Sequence, residues 1–324
     1  MATGRDTRRL IAGDFDGARS GPLGVRLAIG GARTVDWTLA RLRAARPVVL
    51  VSGFWRSGTT WVQECLAEAL AAKTVFEPLS PLDPRRRAML AAQGLPYDSL
   101  QAAMPGPLPD DDPLWDFLAD ACTGRHTSNF TLNCRSSLRE SFATRIVVKD
   151  VRMPFNLDGF HRRFGVPVLH VRRHPCAVVA SLLAADWDWT FGRVGLGHLL
   201  PAMEDRDAVL RDCDGDALSR IAAWWAATER HAAASLAGRA WAHGAVYEEV
   251  ADDPAPAFAA LCARLGLAQR RAPRFARVSA STVGAASPRD RWRTSLSRAD
   301  ILRVEAVVTR IHPGCLDAWG GPSA

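Results

Sequence analysis

The chain has 324 residues, of which 48% are hydrophobic, so it can bury a large core as one large α/β domain or two smaller ones. No apolar run approaches the roughly 20 residues of a membrane-spanning helix, and the N-terminal MATGRDTRRL lacks the apolar stretch of a signal peptide. The net charge of +7 comes from scattered Arg rather than from a dense basic run with interleaved aromatics. We therefore expect a soluble, cytoplasmic protein with neither a nucleic-acid nor a membrane partner.

The seven cysteines are scattered and show no C-x-x-C spacing. This pattern argues against a disulfide framework or a zinc ribbon and is typical of a reducing compartment. Neither an H-x-x-x-H spacing nor a carboxylate cluster argues for a bound metal.

The predicted elements alternate between apolar strands and helices. Residues 1–46 form an N-terminal extension with a helix at 35–45, and 78–143 and 186–216 are irregular insertions that we expect to form a lid or a binding surface. Strands are predicted at 48–51, 74–76, 145–149, 167–172 and 245–247. Further helices are predicted from the loop after 58 to about 73 and at 154–164, 177–183, 217–236, 252–265 and 297–311.

Continuous apolar strands alternating with helices predict an α/β, P-loop-like three-layer fold, with a central parallel sheet and helices on both faces. We expect one such domain to span 1–324. Ligands of these sheets bind beyond the carboxyl ends of the strands. The polar residues at those ends are Arg56, Glu77, Lys149, Arg172 with Arg173, and Tyr247.

The stretch VVLVSGFWRSGTTW at 48–61 predicts a buried strand, a glycine-bounded loop and a helix N-terminus, which together suit a phosphate or another tetrahedral anion. Gly53 and Gly58 have the spacing of the Walker A pattern, but the Lys that should follow the second glycine is missing. The cation lies inside the loop instead, at Arg56. The alternative to an anion-binding loop is a purely structural tight turn between a buried strand and a helix.

The run from Arg56 to Trp61 after a buried strand resembles the 5′-phosphosulfate loop of sulfotransferases that use 3′-phosphoadenosine 5′-phosphosulfate (PAPS). This resemblance implies PAPS as co-substrate, with no metal. It also implies that the loop residues hold the sulfonate and the 5′-phosphate. The residues are Arg56, Ser57, Gly58, Thr59, Thr60 and Trp61.

Arg172-Arg173-His174-Pro175, with Ser181 on the following helix, resembles the 3′-phosphate site of the same family. The resemblance implies that Arg173 and Ser181 contact the 3′-phosphate, with Arg172 in support. Trp61 and Tyr247 match aromatics that border the adenine.

Other motifs divide between two branches of the family. Phe76-Glu77-Pro78 and Lys149-x-Val151-Arg152 resemble segments of carbohydrate sulfotransferases, whereas Trp224-Trp225 and the run from Tyr247 to Pro254 resemble cytosolic ones. The late 290–293 stretch, DRWR, looks like a weakened G-D-W-K without the R-K-G before it. Additional candidates for 3′-phosphate contacts in this region are Ser281, Thr282 and Arg289.

The resemblance implies in-line sulfuryl transfer to a hydroxyl, with Arg56 and Lys149 stabilising charge. The family's catalytic His is missing after Lys149. We choose Glu77 as the proton acceptor, expecting burial to tune its carboxylate upward toward neutrality, and Asp150 as second choice. His170 lies mid-strand and is expected to be a core residue.

The predicted acceptor is a small-molecule or carbohydrate hydroxyl compound. Its pocket is expected at 78–130 and 186–191, where Trp187, Trp189 and Phe191 form either an aromatic wall or a packing cluster. One alternative is a Mg²⁺-dependent P-loop kinase, and another is a binding protein that keeps the nucleotide site without turnover. The Arg excess suggests a bacterial, secondary-metabolic setting, and the sequence leaves the oligomeric state open.

Overall fold

Five parallel strands form the central sheet, in the order β2-β3-β1-β4-β5. The computed structural model describes residues 23–42, 45–94, 104–134, 138–187, 206–275 and 291–322. The strands are β1 Arg46–Gly53, β2 Lys73–Phe76, β3 Arg145–Lys149, β4 Val168–Arg172 and β5 Ala242–Val246.

Helices surround this sheet. In chain order they are α1 Leu23–Leu42, α2 Thr59–Ala69, α3 Pro84–Ala92, α4 Pro113–Thr123, α5 Leu157–Phe164, α6 Pro175–Ala184, α7 Arg206–Cys213, α8 Ala217–Leu236, α9 Tyr247–Asp252, α10 Pro254–Arg264, α11 Arg291–Ser295 and α12 Arg298–Ile311, with short 3₁₀ turns at Leu138–Phe142 and Asp317–Trp319. Each described helix is too short or too polar to cross a membrane.

The apolar residues of β1 alternate between the two faces of the sheet, as a strand requires. Val49 and Val51 pack against α2 and α10, whereas Leu50 packs on the other face against residues of α4, α5 and α8. Both faces are therefore covered, which explains the nearly continuous apolar runs of the strands. The predicted α/β fold with a central parallel sheet is confirmed.

The position of β1 determines where a ligand can bind. The chain leaves β1 through α2 toward β2 on one side, and later crosses to β4 and β5 on the other. Val51 is in register with Lys149 of β3, and Gly53 is in register with Val171 of β4. The carboxyl end of β1 is thus the topological switch point, where ligands of such sheets bind.

Some predicted boundaries are wrong. The helix after the loop ends at Ala69, because Ala71 takes a left-handed backbone conformation (φ 50°) and the chain turns directly into β2. Lys73 begins that strand, fully buried, and pairs with Asp36 of α1 at 2.8 Å. This ion pair places α1 against the edge strand β2. The helix spans Leu23–Leu42, so it begins earlier and ends earlier than the predicted 35–45. Tyr247 begins α9 instead of ending β5.

Candidate active site

The loop between β1 and α2 holds Arg56 in a left-handed conformation, with φ of 63°. Its Nε donates a hydrogen bond of 2.9 Å to the hydroxyl of Ser181 on α6. Its carbonyl accepts one of 2.9 Å from the guanidinium of Arg173, just after β4. Burial and the charge of Arg173 lower the pKa of Arg56, as expected for a cation held in a dry, positive site.

Gly58 ends the loop with φ of 80°, and it allows Tyr247 to approach closely. A Cβ at this position would lie 2.2 Å from the Tyr247 ring, which is nearer than packed atoms can come. Glycine is therefore required here both for its backbone conformation and for space. The contact brings the start of α9 against the loop.

Aromatic rings line the side of the loop that faces α9 and α10. Trp61 meets Tyr247 edge-on, with ring centroids 5.9 Å apart, and meets Phe258 at 5.4 Å. The guanidinium of Arg173 lies 4.9 Å from the Tyr247 ring centroid. A cation and an aromatic pair therefore stand together beside the loop, which suits a purine with an adjacent phosphate.

The polar atoms of the loop suit a tetrahedral anion. The Ser57 hydroxyl oxygen is buried and has no hydrogen-bond partner among the described residues. Thr59 and Thr60 occupy the first turn of α2, where backbone N–H groups lack intrahelical acceptors. Unsatisfied donors beside a cationic Arg56 match the oxygens of a phosphate or a sulfonate.

A second group of charges lies at the ends of β2 and β3. The carboxylate of Glu77 pairs through Oε1 with Lys149 Nζ and through Oε2 with Arg152 at 2.8 Å. Its backbone N–H donates to the Lys149 carbonyl at 2.7 Å, and its φ of 38° is left-handed. Non-glycine residues in that region are held there by their surroundings and cluster at functional sites.

The electrostatics of Glu77 differ from the expectation. Burial raises the pKa of Glu77, but the charges and hydrogen bonds of Lys149 and Arg152 together outweigh it, so the net pKa lies below the ordinary value. The expectation of an upward-tuned carboxylate is therefore wrong. The motif Lys149-x-Val151-Arg152 could be recognised in the sequence. The ion pairs of Lys149 and Arg152 with Glu77 could not, because they depend on how the side chains of two strand ends are oriented.

Asp150, the second choice, is buried among backbone donors. Its two oxygens accept hydrogen bonds from the N–H groups of Leu79, at 2.7 Å, and Arg152, at 2.8 Å. Burial, with the charge of Glu77, raises the pKa of Asp150 to about 6. These bonds fix the turns that follow β2 and β3. None of the surface of Asp150 is exposed, so it is poorly placed to meet an acceptor.

Comparison with known families decides the identity of the chain. A model of the sulfotransferase family matches residues 47–271, which includes both charge clusters and most of the sheet. The chain belongs to the sulfotransferase family. A search of curated proteins found no match.

Solved structures similar to this sulfotransferase include three bacterial or biosynthetic proteins. A sulfotransferase from Alicyclobacillus acidocaldarius is 17% identical, covers 85% of this chain and 99% of its own, and gives a TM-score of 0.41. The sulfotransferase domain of the curacin biosynthetic pathway is 16% identical, with 85% and 98% covered and a TM-score of 0.47. A sulfotransferase from Mycobacterium tuberculosis H37Rv is 16% identical, with 97% and 93% covered and a TM-score of 0.45.

The remaining predicted residues of this sulfotransferase are His170, Trp187 and a group that the structure does not describe. His170 is buried in β4, and its Nε2 lies 3.0 Å from a carboxylate oxygen of Glu229. Trp187 lies 5.7 Å from the Arg56 guanidinium and packs against the core cluster formed by residues of α6 and α8, so both interpretations of this residue remain predictions. The predicted residues Ser281, Thr282, Arg289, Trp189 and Phe191 lie outside the described residues.

In the part of the chain that the structure describes, no group of three or more His, Cys, Asp or Glu side chains could hold a metal ion. Six of the cysteines, at 65, 122, 134, 176, 262 and 315, are buried and form no disulfide among the described residues.

Proposed function

We propose that this sulfotransferase moves a sulfuryl group from PAPS to a hydroxyl group of a small-molecule or carbohydrate acceptor. One observation carries the proposal. Arg56 is fixed between Ser181 and Arg173 at the switch point of the sheet, so the loop and the predicted 3′-phosphate residues form one continuous cationic site. Such a site suits a nucleotide that bears anionic groups at both ends of its ribose.

The donor would be held by residues from three strand ends. Ser57, Thr59, Thr60 and the α2 N-terminus contact the 5′-phosphate, and Arg56 binds the sulfonate. Arg173 and Ser181 contact the 3′-phosphate, with Trp61 and Tyr247 beside the adenine. PAPS supplies an activated sulfuryl group whose transfer passes through a loose transition state, so positioning and charge stabilisation are the main tasks of the protein.

The acceptor would meet the second cluster. Glu77 retains a small exposed fraction, 8%, whereas Asp150 has none, so Glu77 is the carboxylate that can accept the proton of the hydroxyl. Lys149 and Arg152 hold the Glu77 carboxylate in place, and Lys149 also stabilises negative charge on the departing oxygen. A weak base is adequate here, because a loose transition state requires little nucleophile activation.

The test is a transfer assay with PAPS, excess EDTA and a panel of phenols, alcohols and sugars. We expect mass spectrometry to detect 3′,5′-bisphosphoadenosine together with one sulfated product. Glu77→Gln should lose transfer while keeping bisphosphate binding. Turnover of ATP that requires Mg²⁺, with no reaction of PAPS, would contradict the proposal and favour a kinase.

A further inference from the structure

Glu248, the second residue of α9, lies beside the residues proposed for the 3′-phosphate. Its Oε1 accepts a hydrogen bond of 3.1 Å from the backbone N–H of His174, which follows Arg173 in the chain. The same oxygen lies 4.0 Å from Nε of Arg173, a separation that is too long for a hydrogen bond. The Arg173 Nε has no hydrogen-bond partner among the described residues. The carboxylate therefore fixes the backbone after Arg173 and attracts its guanidinium without taking up the Nε donor.

Trp319, in the second of the two 3₁₀ turns, holds the other oxygen of this carboxylate. Its Nε1 donates a hydrogen bond of 3.1 Å to Oε2 of Glu248. The Trp319 ring also meets the His174 ring edge-on, with centroids 5.4 Å apart, and lies 5.7 Å from the Arg172 guanidinium. This turn thus contacts the residues on both sides of Arg173 in the chain, as well as the carboxylate beside it.

The guanidinium of Arg173 is restrained on three sides. It donates a hydrogen bond of 2.9 Å to the Arg56 carbonyl, lies 4.9 Å from the Tyr247 ring centroid, and faces Glu248 through Nε. The first two contacts connect it to the loop after β1 and to the aromatic side of the site. Because Glu248 supplies the third restraint, the guanidinium has a defined direction before a ligand arrives. Such pre-organisation improves affinity, since less side-chain freedom is lost on binding.

We propose that Glu248 is a positioning residue for recognition of the 3′-phosphate, and that Trp319 acts through it. This inference rests on the proposed function, in which Arg173 contacts that phosphate. Glu248 does not bind the nucleotide, because a carboxylate repels a phosphate. Its charge and its bond to the His174 N–H aim Arg173, and Trp319 keeps the carboxylate from turning into a closer ion pair with Arg173. A closer pair would occupy guanidinium donors that the phosphate requires.

The first measurement is titration calorimetry with 3′,5′-bisphosphoadenosine and with adenosine 5′-monophosphate, whose affinity ratio reports the contribution of the 3′-phosphate. Glu248→Ala leaves Arg173 without its third restraint, so we expect this ratio to fall roughly tenfold while the affinity for the monophosphate changes little. Glu249→Ala removes the same charge from an exposed position one residue later and should keep the wild-type ratio. A higher ratio for Glu248→Ala would mean that the carboxylate only repels the phosphate, and an unchanged ratio would confine its role to the fold. Either result would overturn the proposal.

The second measurement tests the connection from Trp319 with more conservative changes. Trp319→Phe keeps an aromatic ring but removes the Nε1 donor, and Glu248→Gln keeps one of the two acceptor oxygens. Each should lower the affinity ratio about 3- to 10-fold, and the double variant should lower it little further, because both changes break the same bond. Trp241→Phe, which alters a ring stacked on His161 at the opposite end of β5, is the matched control and should keep the ratio. Additive losses in the double variant would overturn the role of Trp319.

The wild-type protein separates this inference from the function on which it rests. Equal affinity of the wild type for the two nucleotides would contradict the proposed donor, and would overturn the inference with it. A preference for the bisphosphate that the Glu248 and Trp319 variants retain in full would overturn the inference alone and leave the donor assignment intact. The expected result is a preference that Arg173→Ala abolishes and that the Glu248 and Trp319 variants reduce.

Discussion

Arg56 and Ser181 are 125 residues apart in the chain and are joined by a hydrogen bond of 2.9 Å from the guanidinium Nε to the serine hydroxyl. The bond ties the loop after β1 to α6, and the Arg173 guanidinium completes the connection by binding the Arg56 carbonyl. The sulfonate-binding and 3′-phosphate-binding residues proposed for this enzyme therefore constrain one another.

Removing the Ser181 hydroxyl should weaken donor binding. Ser181→Ala loses the bond that orients Arg56, and a hydrogen bond to a charged group contributes about 1.5–3 kcal/mol, so we expect bisphosphate affinity to fall by about 10- to 100-fold. Titration calorimetry measures the change. Thr123→Ala, which removes a hydroxyl that bonds within α4, is the matched control and should not alter affinity. Equal affinities for both variants would contradict the role of Ser181.

Substituting Gly58 should damage the loop more than its backbone conformation alone would explain. Gly58 and Gly94 have similar φ values, 80° and 70°, but a Cβ meets the Tyr247 ring at the first position and open space at the second. Each Ala substitution costs about 1–2 kcal/mol from strain, and Gly58→Ala adds a clash. We expect Gly58→Ala to abolish nucleotide binding and Gly94→Ala to retain it. Similar binding by the two variants would show that the Tyr247 contact is unimportant.

The pH dependence of transfer distinguishes the two candidate bases. The charges and hydrogen bonds of Lys149 and Arg152 hold the pKa of Glu77 below its usual range, so Glu77 stays ionised at neutral and mildly acidic pH. With Glu77 as base, kcat/KM for the acceptor at saturating donor should show no acid limb between about pH 5 and 8. With Asp150 as base, activity should fall as the pH drops through about 6, where its raised pKa lies. An acid limb at that pH which is absent from Asp150→Asn would contradict the choice of Glu77.

The buried pair of Lys73 and Asp36 should control stability. Lys73→Met removes the cation that pairs with the buried Asp36 carboxylate, and we expect a loss of about 3–5 kcal/mol in the free energy of unfolding. Urea denaturation measures it. Replacing both residues, as Asp36→Leu with Lys73→Met, should recover most of the loss. Arg162→Met, which breaks exposed pairs with Asp158 and Asp110, should cost less than about 1 kcal/mol. Equal losses for Lys73→Met and Arg162→Met would contradict this account.

Much of the sheet could be predicted from the sequence, because buried parallel strands read as short apolar runs between helices. The strand at 145–149 and the helix at 217–236 have their predicted bounds. The end of α2 could not be predicted. The residues that follow α2, up to Ala72, have helical composition, but the left-handed turn at Ala71 leads directly into β2, which pairs with β3.

The charges of the site were harder to predict than their positions. Strand ends identify Glu77, Lys149 and Arg173, since polar residues that follow apolar runs are easy to recognise. Whether a carboxylate stands alone or is neutralised depends on side chains from neighbouring strands, and the Glu77 pairs with Lys149 and Arg152 lowered a pKa that burial alone would have raised.

The most direct test of the central claim is titration calorimetry with 3′,5′-bisphosphoadenosine and with ADP, in the absence of metal. We predict micromolar or tighter binding of the bisphosphate and much weaker binding of ADP, because Arg173 and Ser181 are the residues proposed to bind the 3′-phosphate. Arg173→Ala should lose this preference, whereas Arg172→Ala, whose guanidinium lies beside Trp319, should largely keep it. Equal binding of the two nucleotides, or binding of ADP only with Mg²⁺, would contradict the assignment of PAPS as donor.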